Sequence, residues 1–96
     1  MLRILYLFLL ITFQIHAAAN EVKIIDGDTI IINGEKIRFF GIDAPEINQE
    51  CKKKGEIIKC GLLAKKVLED KIADNTPICI KKGEDRYNRT VAECFI

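Results

Sequence analysis

Five charged residues stand at the ends of short β-branched and aromatic runs. Asp26 and Asp28 lie in Ile24-Ile25-Asp26-Gly27-Asp28-Thr29-Ile30, and Arg38, Asp43 and Glu46 in Ile37-Arg38-Phe39-Phe40-Gly41-Ile42-Asp43-Ala44-Pro45-Glu46. A second arginine, Arg89, comes much later, in Asp85-Arg86-Tyr87-Asn88-Arg89-Thr90. Strand interiors accept charge poorly, whereas strand ends can aim several charges at one point. Carboxylate and carbonyl oxygens suit a hard cation such as Ca²⁺, and guanidiniums suit a phosphate. The set therefore points to metal-assisted phosphodiester chemistry. Each piece alone has a plainer reading: Asp26-Gly27 is a common turn, Asp43-Ala44-Pro45 a loop, and Arg38 an ordinary strand arginine. Their spacing raises the chemical reading above the plain ones, because a hairpin between them brings Asp28 and the end of the Arg38 strand to one end of a sheet. There Asp28, Asp43 and a nearby backbone carbonyl form a partial cage, with water and a substrate phosphate completing it.

The elements that must do this positioning follow from periodicity. Glu21 to Ile25 reads as a first strand and Thr29 to Ile32 as a second, with Asp26-Gly27-Asp28 the bend between them. Asn33-Gly34 is a strong hairpin signal, and Lys36 to Phe40 is a third strand antiparallel to the second. Pro45 takes the chain out of the sheet. Ile47 to Lys59 is expected to be a polar surface loop; its Lys52-Lys53-Lys54 run is either a solvated loop or an electrostatic guide for a polyanion. Leu62 to Ala73 is the helix, with Leu63, Ala64, Val67, Leu68 and Ile72 on its core face and Pro77 forbidding its continuation. Pro77 to Lys81 and Arg89 to Ile96 are the fourth and fifth strands, around a charged turn. Three strands, a helix and two strands predict an α+β fold, mainly β, as a five-stranded Greek-key barrel of the OB type.

At 96 residues the chain holds one domain. Residues 1–19 have a basic start at Arg3, an apolar run from Ile4 to Phe13 and Ala17-Ala18-Ala19, which is the pattern of a cleaved signal peptide; residues 20–96 are the folded domain. The uncharged run is shorter than the roughly 20 residues that span a bilayer, so no lasting membrane association is expected. Export places the protein outside the cell or in the periplasm. His16 leaves with the signal, which excludes histidine-based catalysis from the remainder. Residues 20–96 are formally neutral, so affinity for phosphate must come from local placement of Lys and Arg. Cys51, Cys60, Cys79 and Cys94 are an even set in an exported chain without a C-x-x-C pair, which favours disulfides over zinc. Three pairings exist. If the last two strands form a hairpin centred near Arg86 and Tyr87, Cys79 falls opposite Cys94, and Cys51 pairs locally with Cys60.

The combined pattern D-G-D-T, I-R-F-F-G-I-D-A-P-E, Q-x-C, C-G-x-x-A and D-R-Y-x-R resembles the thermonuclease (staphylococcal nuclease-like) family, in the family's order, from about Val22 to Phe95. The resemblance implies an OB-fold and Ca²⁺-dependent hydrolysis of DNA and RNA; separately, a monomer is expected. It implies Asp28, Asp43 and the Ala44 backbone carbonyl as calcium ligands, the last where the family often has threonine. Asp26 is implied as a supporting acid, Arg38 and Arg89 as the pair gripping the scissile phosphate, and Glu46 as the group orienting or deprotonating water. Asn88 replaces the family's glycine and is expected to accept a left-handed turn. The family continues into C-terminal helices, so the resemblance implies a domain incomplete beyond its fifth strand, with weakened or absent activity. The other reading is a non-catalytic OB-fold module that binds nucleic acid, against which the joint presence of Arg38, Glu46 and Arg89 argues.

Overall fold

Alternation of apolar and polar residues organises the sheet. In the computed structural model, which describes residues 20–96, β1 (Val22–Asp26), β2 (Thr29–Ile32) and β3 (Glu35–Phe39) form an antiparallel meander. Asn33 and Gly34 take the tight turn with φ of 49° and 83°, the left-handed pair that a two-residue hairpin requires. Between β1 and β2 the register slips at Ile24/Asp26, so a bulge precedes the Asp26-Gly27-Asp28 turn. Along β3, Ile37 and Phe39 are buried while Arg38 between them faces the other way.

The chain then leaves the sheet. The segment expected to be a polar loop is instead partly a two-stranded hairpin, β4 (Cys51–Lys53) paired with β5 (Glu56–Ile58). The physical reason is the turn: Lys54 and Gly55 adopt φ of 51° and 80°, and a disulfide between Cys51 and Cys60 closes the base. Helix α1 (Cys60–Ile72) follows and packs against β1. Its inward face matches the expected one at Ala64, Leu68 and Ile72 but not at Leu63 and Val67. Gly61, Ala64, Leu68 and Ile72 form the covered stripe at spacings of three and four, while Leu63 and Val67 are 52% and 66% exposed. Both stripes satisfy helical periodicity, and only the packing partner decides between them. The helix ends at Ala73 (φ 48°), whose N–H donates to the Glu69 carbonyl.

Strands β6 (Ile78–Glu84) and β7 (Thr90–Phe95) complete a five-stranded sheet ordered β1-β2-β3-β7-β6. β6 and β7 are antiparallel with Cys79 opposite Cys94, and these two are bonded, as the hairpin reading expected. β7 joins β3 in parallel, so the sheet is mixed. One mixed five-stranded sheet with one helix is the OB-like arrangement expected; among the described residues no ladder joins the edge strands β1 and β6. The core is Ile30, Ile37, Phe39, Ala92 and Ile72, with Leu68, Ile24 and the Cys79–Cys94 pair against it. Residues 1–19, where the expected signal peptide falls, lie outside the described residues. No helix among the described residues is long and apolar enough to cross a membrane.

Candidate active site

Asp28 is the anchor. It begins the return into β2 and its side chain is only 9% exposed, which would be costly for a carboxylate without partners. It has four. The Thr29 hydroxyl donates to Oδ1 at 2.9 Å, the Ala44 N–H donates to Oδ2 at 3.0 Å, and Arg38 Nη2 lies 3.4 Å from Oδ2. The Asp26 carboxyl is the fourth, acting on Asp28 from two residues away. Burial alone would raise the Asp28 pKa, but the Ala44 N–H, Asp26, the Thr29 hydroxyl and the Arg38 charge outweigh it and hold the carboxyl below its ordinary value. Asp26 shifts the other way. Burial pushes it up and the neighbouring Asp28 adds to this, although Asp26 Oδ1 accepts the Asp28 N–H at 3.1 Å.

Close packing sets the distance between the two acidic turns. A Cβ placed on Gly27 would lie 2.8 Å from the Cβ of Ala44 and 2.8 Å from that of Ala64, so three small residues let the Asp26–Asp28 turn sit between the Asp43–Ala44 turn and α1. Arg38 then ties the assembly. Its Nη1 donates to the carbonyls of Phe39 (3.0 Å) and Ile42, and its Nη2 lies 3.4 Å from Asp28 and 3.5 Å from Asp43. Asp28 is buried and Asp43 is 96% exposed, so the guanidinium bridges a fixed carboxylate and a free one.

Arg89 reaches the same place from the far end of the chain. The parallel register sets Val91 of β7 beside Arg38, and Arg89 lies two residues before it, just ahead of β7. Arg38, Asp43, Asp85, Arg89 and Val91 all line one open cleft of about 500 Å³. Asp85, which sequence reasoning placed only within a motif, holds Arg89 there. Its Oδ2 accepts Arg89 Nε at 2.6 Å, and its Oδ1 accepts the N–H groups of Tyr87 and Arg89, both at 2.9 Å. Desolvation would raise the Asp85 pKa, but these hydrogen bonds and the Arg89 charge hold it below its ordinary value. An aspartate that caps a turn two residues on is the usual Asx signature, and that was the signal available in Asp85-Arg86-Tyr87. Asn88 has φ of 62°, the left-handed turn expected of it.

Glu46 stands apart. It is exposed on the turn after Asp43-Ala44-Pro45 and does not line the cleft. Its N–H donates to Gln49 Oε1 at 3.2 Å and its carbonyl accepts the Gln49 N–H at 2.9 Å. The turn rests on Gly61, where a Cβ would overlap the Glu46 carbonyl oxygen and lie 2.7 Å from that of Ile47. Neither Gln49 nor Gly61 is legible from residue type as a positioning group.

Among the described residues no three His, Cys, Asp or Glu side chains converge as a metal cluster. What the site does offer a cation is all oxygen: Asp28 Oδ2 and Asp43 Oδ1 flank one positively charged nitrogen, with the Ala44 peptide adjoining. That donor chemistry fits a hard divalent ion, with water and substrate oxygens filling most positions.

The family described as Staphylococcal nuclease homologue matches residues 36–96, a segment that includes Arg38, Asp43, Glu46 and Arg89. The succinoglycan biosynthesis protein ExoI of Rhizobium meliloti (strain 1021) is 37% identical over 78 residues, covering 79% of this chain and 41% of that protein. An uncharacterized endonuclease of Haemophilus influenzae is 34% identical over 105 aligned positions, covering 97% of this chain and 54% of that protein. The chain thus spans about half the length of the curated relatives it matches. No solved structure matches it.

Proposed function

The chain belongs to the staphylococcal nuclease homologues, and from that premise we propose that it is a Ca²⁺-dependent nuclease that hydrolyses phosphodiester bonds of DNA or RNA. The observation that supports this most is the convergence of Arg38 and Arg89, from segments far apart in the sequence, on one cleft that also holds Asp43. Two guanidiniums lining one cleft suit a phosphodiester, whose non-bridging oxygens gain negative charge during hydrolysis. Asp28 and Asp43, with the Ala44 carbonyl, would hold the ion, and Asp26 supports them through the Asp28 N–H. A bound Ca²⁺ would supply further positive charge for the phosphate oxygens. Arg38 grips one side of the phosphate and Arg89, held by Asp85, the other. Glu46, exposed on the turn after Asp43-Ala44-Pro45, takes the role of general base or of orienting the attacking water.

We place its action outside the cell or in the periplasm, as a monomer, following removal of residues 1–19. The two disulfides support that reading, because such bonds persist in oxidising compartments.

The test is digestion of single- and double-stranded DNA and of RNA by the purified protein, with Ca²⁺ and with a chelator, beside Glu46→Gln. Cleavage that needs Ca²⁺ and falls at least ~10²-fold in Arg38→Ala and in Arg89→Ala is the expected outcome. Cleavage undiminished in both variants overturns the assignment. Binding of nucleic acid with no cleavage under any condition would support the non-catalytic module instead.

A further inference from the structure

We propose that the β4–β5 hairpin is a disulfide-braced arm, anchored to the Glu46 turn, that grips the sugar-phosphate backbone of a polynucleotide through Lys52, Lys53 and Lys54. This rests on the reading of the cleft as a nuclease site.

Charge is the first argument. Between Cys51 and Cys60 four lysines stand against one acid, Glu56. Residues 20–96 as a whole hold equal numbers of acids and bases, so the hairpin is positive against a net negative remainder. Pairing is the second. Lys65, Lys66, Lys81 and Lys82 each lie within 4.0 Å of a carboxylate: Glu69, Asp70, Glu84 and Glu93. Lys52, Lys53, Lys54 and Lys59 form no ion pair among the described residues, although Glu56 is directly across the ladder from Lys53. Lys23, Lys36 and Lys71 are unpaired too, but they stand singly on separate elements. A cluster of unpaired lysines repels itself and is relieved by an external polyanion.

Construction is the third argument. A solvated lysine loop would have to be ordered on binding, which costs affinity. Here the lysines sit on a laddered hairpin with a left-handed Lys54-Gly55 turn and a disulfide across its base. Lys52 lies opposite Ile57, which is 65% exposed, so one face of the arm offers a cation beside apolar surface. Phosphate beside sugar presents the complementary pair. Placement is the fourth argument. The arm's base is fixed to the turn that bears Glu46: Gln49 bonds Glu46 at both its N–H and its side chain, and the Gly61 N–H donates to the Gln49 carbonyl at 3.1 Å. A strand laid on the arm is thereby directed past Glu46.

The experiment measures equilibrium binding of the full protein to a fluorescent single-stranded DNA oligonucleotide, in chelator so that nothing turns over, across a series of NaCl concentrations. Lys52→Gln/Lys53→Gln/Lys54→Gln should bind at least ~10-fold more weakly at low salt. Its log K against log[NaCl] slope should be shallower by about 2, as for three lost phosphate contacts on a single strand. Lys65→Gln/Lys66→Gln, which removes two paired lysines from α1, should keep the wild-type slope. Circular dichroism of both variants checks that the fold is retained. An unchanged slope in the triple variant, an equal loss in the helix variant, or no binding by the wild type overturns the arm. If the arm-dependent slope is found and the wild type nevertheless cleaves nothing with Ca²⁺, the nuclease reading fails and the arm stands. Ca²⁺-dependent cleavage with an unaltered slope does the reverse: the arm fails and the nuclease reading stands.

Discussion

Gly61 and Asp85 decide how two candidate site side chains, Glu46 and Arg89, are held. At Gly61 the obstacle to any side chain is a backbone carbonyl, that of Glu46, which cannot rotate aside as a side chain can. Gly61→Ala should therefore shift the Glu46 turn, lower stability by about 3 kcal/mol, the upper end of overpacking costs, and reduce turnover. Gly83→Ala is the control, since a Cβ there meets nothing within 4 Å. Equal melting temperatures for the two variants would show that the turn yields without cost. Asp85 acts on Arg89 through the 2.6 Å bond to Nε. Asp85→Asn should lower turnover at least roughly tenfold by loosening the guanidinium, with less effect than Arg89→Ala. A pH signature goes with it. The Asp85 carboxyl is held below its ordinary value near 3.8, so its stabilising contribution is fully present above that pH and fades as pH falls through the lowered native value. Urea midpoints measured from pH 5 to pH 2.5 should fall less steeply in Asp85→Asn than in the wild type, and parallel curves would refute a stabilising role for the pair.

At the scale of elements, the sheet was legible because its signals are local. The Asn33-Gly34 turn, the β2 run Thr29–Ile32 and the alternation of Ile37, Arg38 and Phe39 are each written in a few consecutive residues. The candidate site residues Asp28, Arg38 and Asp43 could be grouped because a single hairpin brings them together, and the two aspartates flank the Arg38 guanidinium. What could not be read depends on contacts across the chain. That Gly61 rather than Leu63 and Val67 joins Ala64, Leu68 and Ile72 on the inward face of α1 depends on its close approach to the Glu46 turn, and nothing in the helix sequence says so. The β4–β5 ladder was hidden because Lys52-Lys53-Lys54 has a loop composition, and the turn and disulfide override it. The Cys79–Cys94 bond was legible through register alone, and it closes a loop of sequence separation 15 at the edge of the sheet. On loop-closure grounds it should contribute about 3 kcal/mol. Cys79→Ser/Cys94→Ser should lose about that much in urea unfolding; a loss below about 1 kcal/mol would mean that the β6–β7 ladder holds without it.

For the molecule as a whole, the distribution of apolar surface is the telling property. Phe39, Phe40, Ile42, Pro77, Phe95 and Ile96 border one cleft of about 270 Å³ between α1 and the end of β7. Four of them remain largely open: Phe40, Ile42, Phe95 and Ile96 are between 48% and 62% exposed. Scattered apolar residues on a surface are ordinary, but a contiguous cluster around a concavity leaves unfavourable contact with water. The cluster adjoins the candidate site, since Phe39, Phe40 and Ile42 border both clefts. The protein after removal of residues 1–19 should accordingly bind an apolar dye such as ANS at neutral pH, with enhanced and blue-shifted emission and without loss of near-UV circular dichroism. Ile42→Asp or Phe95→Asp should abolish most of that emission while the far-UV spectrum is kept, because both side chains lie outside the buried core. Native protein that leaves the dye dark, or variants that bind it as well as the wild type, would show that this apolar cleft is not open in solution.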